Sequence, residues 1–375
     1  MNWRILRAGL TGLVLLLAVA IWRAPRTETV QPGTAGSVDA AARPDLGAPG
    51  VSERSPGRSV GGPRVRDPES GLPQSELPLS ALFEPSDDLT RRASPEAIDQ
   101  FLRTHNYSAA SLLAAFSDSR DTNLLRLAAE RWPHDPQVQL RVLSTKLFPE
   151  QERDWIGALK ASSPDNALAY YLAAAYHLRN GDPDQAWREL QAGNQQKKLR
   201  DYTPEAMLNL EELYRLAGDS EVMARARAYT DLNLWHLGEL GRMSRGILEQ
   251  QAAMQQAGQT EAATQLALMG IEMAQHLSLG EGQGVMFSQI MGTRIERDFL
   301  RGLDPNQSYP QLSMPVADML QAIQSQRDAL HQAGDSFQRA LQTNDEDLLR
   351  RFFDRIKVIG EYQACVWLMQ QQGCP

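Results

Sequence analysis

Six histidines and two cysteines are the side chains of this sequence best suited to metal or nucleophilic chemistry. The histidines are scattered: His105, His134, His177, His236, His276 and His331. None lies four residues from another, the spacing that sets two imidazoles on one helix face for zinc. Cys365 and Cys374 have no histidine near them in sequence to act as base. Glu272 and His276 are four apart and share a helix face, which reads as a surface hydrogen bond. Gly280, Gly282 and Gly284 look like a phosphate loop. They follow a helical pattern, not a strand, and carry no Lys-Ser/Thr pair, so they read as a flexible turn. No G-x-S-x-G elbow occurs. Glu211 and Glu212 are the candidates for a lone catalytic acid, on a helix rich in charge where solvation is the plain explanation. The expectation is therefore no catalytic residue, no metal site and no cofactor.

The elements that would position any chemistry are helices. Ser163 to Leu190 reads as two of them folded back on each other. Ser163 is a suitable N-cap and Pro164 suits the first helical position. Leu168, Tyr171, Leu172 and Ala175 then fall at i, i+3, i+4 and i+7, one apolar face. Gly181 can take the left-handed conformation that ends the helix. Asp182 and Pro183 start the next, whose face is Ala186, Trp187 and Leu190, and so short a connection forces an antiparallel hairpin. Cap-plus-proline starts recur at Ser94, Asp135 and Thr203. Further apolar faces are Ile98, Phe101 and Leu102; Leu112, Leu113 and Phe116; Leu124, Leu125 and Ala128, before Pro133; Trp155, Ile156 and Leu159; and Met207, Leu210, Tyr214 and Ala217, closed by Gly218.

Beyond Asp231 the rhythm lengthens. Leu240, Met243 and Ile247 form one stripe, and Leu266, Met269, Met273 and Leu277 another. The methionines of this half read as core packing. A helix is expected from Gly280 to Leu303, with Gly284, Ser288 and Gly292 as a strip for close approach and Phe287 and Ile290 facing the core. Another carries Val316, Met319, Leu320 and Ile323 and ends near Gly334. A last helix carries Leu349, Phe352, Phe353, Ile356 and Ile359.

Residues 133–190 resemble the tetratricopeptide repeat, on Tyr176, the Gly181-Asp182 turn, Ala186 and Leu190, with the entry Pro164-Asp165-Asn166. Pro133-His134-Asp135-Pro136 aligns with that entry at a spacing of 31. The first helix is one residue longer than the family pattern, and the closing proline is missing. The resemblance implies a helical solenoid whose surface binds other proteins. An ordinary helical hairpin of a non-repeat bundle is the alternative.

Residues 8–22 carry no charge and are flanked by Arg4, Arg7, Arg23 and Arg26. Fifteen helical residues rise only about 22 Å, short of a ~30 Å hydrocarbon core, but arginines snorkel and Trp3 and Trp22 sit as interface anchors. The expectation is a signal-anchor over 1–22, with cleavage near Ala20 and secretion as the alternative. The leading arginines place the bulk of the chain outside the cytoplasm. Eleven of the 21 prolines lie between Pro25 and Pro95, and residues 23–93 read as a disordered tether reaching about 50 Å. Through Arg92 the chain has 11 basic and 10 acidic residues, so the remainder carries a net charge of −9. An acidic folded part disfavours nucleic acid as a partner.

The resulting organisation is an anchor over 1–22, a linker over 23–93, antiparallel helical hairpins over 94–230 and a long-helix bundle over 231–375. The class is all-α. The function expected is a membrane-tethered, extracytoplasmic adapter or scaffold that binds a protein partner. A cell-envelope enzyme on an all-α fold and a structural spacer are the alternatives. In an oxidising compartment Cys365 and Cys374 form a candidate disulfide stapling the tail, against two free thiols in a frayed terminus. Counted at 100° per residue from Phe352, Ile356 and Ile359, Cys365 falls away from the apolar stripe, beside Glu361 and Gln372.

Overall fold

The computed structural model describes residues 92–279, 285–343 and 345–373. Among them the protein is all-α: helices, one 3-10 turn at Pro149–Gln151 and a single isolated β-bridge between Asn166 and Lys198. The helices are α1 (Pro95–Thr104), α2 (Ala109–Ser119), α3 (Thr122–Arg131), α4 (Pro136–Thr145), α5 (Glu152–Ser162), α6 (Ala167–Arg179) and α7 (Pro183–Asn194). There follow α8 (Thr203–Leu216), α9 (Glu221–Thr230), α10 (Trp235–Gln256), α11 (Thr260–Leu279), α12 (Met286–Leu300), α13 (Val316–Thr343), α14 (Glu346–Ile359) and α15 (Glu361–Gln371). No described helix is long and apolar enough to cross a membrane. Residues 1–22 and nearly all of the proposed tether lie outside the described residues.

Local chemistry sets most of these boundaries. The side chains of Ser94, Asp135 and Asp182 accept amide hydrogen bonds from the first turns of α1, α4 and α7, each followed by proline. Gly181 and Gly218, at φ +76° and +96°, reverse the chain after α6 and α8. Helices adjacent in sequence pack against each other from α1 through α7, and again from α10 through α13. Leu168, Tyr171 and Leu172 of α6 are buried, as are Ala186 and Leu190 of α7. Each fully buried leucine or aromatic contributes about 1.5–3 kcal/mol relative to exposure.

Three apolar clusters hold the assembly. The first, under α1–α4, includes Leu112, Leu125 and Val138. The largest runs from Leu140 through α6, α10 and α11 to Ile323. The third joins Phe101 and Tyr214 to Phe337, Phe352 and Phe353. The two larger clusters draw residues from both sides of residue 231.

Four expectations are corrected. The helix expected from Ser163-Pro164 begins at Ala167, because Asn166 caps it. Asn166 Oδ1 accepts from Leu168 N and Arg200 N, and its Nδ2 donates to Arg200 O, so a distant segment fixes the start. Ser163 instead ends α5 and hydrogen-bonds Tyr202 Oη at 2.6 Å. At α8, Thr203 is the first helical residue, and Asp201 Oδ1 accepts its amide. Gly334 does not end α13. The buried face continues through Ser336, Phe337, Ala340 and Leu341, and that packing outweighs one glycine's weak helix preference.

The last helix is two helices. Gly360, at φ +79°, breaks the chain after Ile359, which is 40% exposed. The 100° count does not survive this break, and Cys365 lands on the buried face of α15, fully inaccessible. Its backbone oxygen accepts from Ser336 Oγ at 2.9 Å, and burial pushes its thiol well above the ordinary value. Cys374 lies outside the described residues, and so does its proposed bond to Cys365.

Candidate functional site

Three helices turn one face each toward a common cleft. Ala110, Leu113, Ala114 and Ser117 of α2 stand at i, i+3, i+4 and i+7. Gln137, Leu140, Arg141 and Ser144 repeat the spacing on α4, and Thr203, Ala206, Asn209 and Leu210 line it from α8. Leu232, Asn233, Trp235 and His236, at the entry to α10, complete the walls. The cleft is shallow, with about 50 Å³ of space for water-sized occupants.

Several of its polar side chains are hydrogen-bonded, two of them within their own helix. Ser117 Oγ donates to Leu113 O at 2.8 Å, and Asn209 Nδ2 donates to Glu205 O at 2.8 Å. Asn233 Nδ2 donates to Ser144 Oγ at 3.0 Å, joining the α10 entry to α4. His236 Nε2 lies 3.3 Å from Asp201 Oδ2, off the line of a hydrogen bond. Burial raises the Asp201 carboxyl. The opposing His236 and the Thr203 amide outweigh that, so it stays below the ordinary value, ionised. Among the described residues no hydroxyl or thiol is hydrogen-bonded to His236.

Arg141 is different. It is partly buried, with its guanidinium 5.9 Å from the Phe116 ring. Among the described residues it has no hydrogen-bond or ion-pair partner for that group. Burial and the nearby Arg120 lower it to about 10, which still leaves it protonated at neutral pH. The guanidinium keeps contact with water beside a cleft lined by Leu113, Leu140 and Leu210.

The residues singled out from sequence have other positions. Glu211 is buried, but Arg225 Nε at 3.1 Å and Lys357 Nζ take its carboxylate. Glu212 is on the surface, 3.2 Å from His105 Nε2. His276 is not a surface partner of Glu272: its Nδ1 is 2.6 Å from Tyr171 Oη, which donates to Asn194 Oδ1 at 2.9 Å. Asn194 Nδ2 in turn reaches Met269 O, tying α6, α7 and α11 together. Burial, only partly opposed by Glu272, lowers His276, which suits this structural role. Gly280–Gly284 lie outside the described residues. Among the described residues no three His, Cys, Asp or Glu side chains converge as metal ligands.

Sequence reasoning missed Arg141, Asp201 and Trp235. One signal was present for Arg141. Positions 137, 138, 144 and 145 are Gln, Val, Ser and Thr, so its own helix offers no acidic partner three or four residues away.

The chain matches no family model, no curated protein and no solved structure.

Proposed function

We propose that this protein is a binding scaffold whose helical hairpins present the α2–α4–α8 cleft to a protein partner. The observation that carries the reading is the cleft itself: three helical faces, with the α10 entry joined to α4 by the Asn233–Ser144 hydrogen bond and the Arg141 guanidinium beside them. Of the two acids named for the enzyme alternative, Glu211 is held by Arg225 and Lys357, and Glu212 lies on the surface beside His105. A tetratricopeptide-like reading of the hairpins is supported by their entries. Asp135 and Asn166, 31 residues apart in sequence, are the N-caps of α4 and α6 and open successive helix pairs. Affinity capture with the full chain as bait tests the scaffold. A reproducible partner is expected, and it should be lost when Ala206→Phe fills the cleft without changing the melting temperature. Equal recovery by both proteins, or no reproducible partner, defeats the reading; the latter leaves the structural spacer.

The same proposal places the scaffold at a membrane and outside the cytoplasm, through residues 1–22. Its support is the uncharged run at 8–22 with flanking arginines. Reporters at the C-terminus that work only inside or only outside the cytoplasm decide it. Activity of the inside reporter alone excludes that topology, and release of the outside reporter into the medium selects cleavage near Ala20.

A further inference from the structure

We propose that the exposed face of α14, with Trp367 of α15 beside it, docks an acidic segment of another protein that carries an apolar anchor among its carboxylates. Arg351, Arg355, Val358 and Ile359 stand at i, i+4, i+7 and i+8 on α14, so they form one stripe along the helix. The opposite face, with Leu349, Phe352, Phe353 and Ile356, is buried. Val358 is 71% exposed, more than any other large apolar side chain among the described residues, and Ile359 is exposed beside it. The solvent face of a helix is ordinarily polar. This surface is built from other helices than the α2–α4–α8 cleft and does not depend on it.

The stripe also gathers cations that no acid neutralises. The guanidinium carbons of Arg355 and Arg351 lie 4.1 Å and 5.9 Å from the centre of the Trp367 ring. Among the described residues Arg355 has no hydrogen-bond or ion-pair partner, and Arg351 has only the Asp347 carbonyl, which its Nε–H reaches at 3.2 Å. The neighbouring acids are taken. Asp347 accepts from Arg350 at 2.6 Å, and Asp354 pairs with Arg225 at 3.1 Å and with Lys357. Stacking on an indole holds a guanidinium in place and leaves its N–H edge free for a carboxylate. A position fixed beforehand lowers the ordering cost of binding. Two cations one turn apart on a helix repel each other, and a carboxylate between them relieves that repulsion. Arginine and tryptophan around a small apolar patch are the side chains that dominate protein interfaces.

Charge selects the occupant. The chain beyond Arg92 carries a net charge of −9, so the cationic stripe is a local exception on an acidic protein. An anionic bilayer would meet the acidic surroundings together with the stripe and be repelled by them. A second copy of the chain would bring the same net charge against itself. A narrow acidic segment meets the stripe alone. Arg351 and Arg355 then take its carboxylates, and Val358 and Ile359 take its apolar anchor.

Selection from a random dodecapeptide library on the immobilised full-length protein tests the proposal, and the winning peptide is then titrated by fluorescence anisotropy. Enriched peptides should carry several Asp or Glu beside aliphatic or aromatic residues. Replacing the winner's acids by the corresponding amides should weaken binding at least about tenfold. Arg355→Gln should weaken it about fivefold or more. Val358→Ser changes only an exposed side chain and should weaken it about threefold, which keeps the test open if Arg355→Gln fails to fold. Ala206→Phe should leave the affinity unchanged. No enrichment, or neutral or basic winners, overturns the proposal. So does an affinity unchanged in Val358→Ser and in folded Arg355→Gln, and so does loss of binding in Ala206→Phe, which moves the peptide to the cleft. Two other occupants would equally overturn it: phosphatidylglycerol vesicles that co-sediment with the wild type and not with Arg355→Gln, and a dimer in sedimentation velocity that Arg355→Gln dissociates. Failure here leaves the cleft scaffold standing, because that reading is tested by Ala206→Phe and is indifferent to Arg355→Gln.

Discussion

Glu361 opens α15 with a carboxylate that is 3% exposed and, among the described residues, has no cation beside it. It accepts from Met286 N at 2.7 Å and from Tyr229 Oη, so it caps the start of α12 from another helix. Burial raises its pKa above the ordinary 4.5, and these two hydrogen bonds only partly oppose the rise. The folded state therefore holds this proton to higher pH than the unfolded chain does. Stability from this group is full below about pH 4.5 and is lost as pH rises through the raised value. Glu361→Gln keeps an acceptor for Met286 N and cannot ionise. Urea midpoints measured from pH 4.5 to neutrality should fall less steeply in the variant than in the wild type. Parallel slopes would show that Glu361 ionises normally. Tyr171 shows the same economy of space at this scale. A Cβ at Gly193 would come 2.7 Å from its ring carbon Cδ1, so a missing side chain on α7 lets a buried tyrosine reach Asn194 and His276.

Between elements, small residues decide how closely helices approach. A Cβ at Gly292 of α12 would sit 2.7 Å from Ala274 O and against the Ser278 hydroxyl of α11. Ser288, one turn earlier on the same strip, is buried too, while Gly284 lies outside the described residues. Phe287 and Ile290 are partly buried and pack on two different clusters, so α12 is wedged between them. Gly292→Leu should cost about 1–3 kcal/mol by overpacking. A thermal melt checks it, and an unchanged melting temperature would mean that α11 and α12 are not in contact here.

At the scale of the molecule, α9 is the strut between the first helices and the last. Arg225 and Arg227 are two residues apart, hence about 200° apart around the helix. Arg225 pairs with Glu211 on α8, Glu221 and, at 3.1 Å, Asp354 on α14. Arg227 pairs with Asp219 and with Asp118 at the end of α2, and stacks 3.8 Å from the centre of the Tyr214 ring. Removing one partner of a buried pair costs about 3–5 kcal/mol. Lys357 still reaches Glu211, so Arg225→Met should fall at or below the lower end of that range. Adding Glu211→Leu should recover part of the loss, because no buried charge is then stranded. Urea unfolding of both variants measures this, and a double variant weaker by the full sum of the separate losses would show the two residues uncoupled.

The sequence by itself determined the helices and the composition of their faces. Caps at Ser94, Asp135 and Asp182, reversals at Gly181 and Gly218, and the stripe Leu168–Tyr171–Leu172 all depend on partners within one or two helical turns. Such short-range chemistry is written in adjacent letters. Tertiary structure decided what no window of adjacent residues contains. Asn166 starts α6 because Lys198 to Arg200 lie against it, and Gly334 stays helical because its neighbours are buried on the C-terminal helices. Gly360 resets the helical phase, so Cys365 turns inward. The cleft is the extreme case. Its residues look like core spacing on each helix separately, and only the meeting of α2, α4 and α8, together with the α10 entry, sets them around an arginine. Arg141 is a cation with no acidic neighbour on its own helix. That it also finds none across the described fold follows from which helices pack beside it, and that is a property of the assembled molecule.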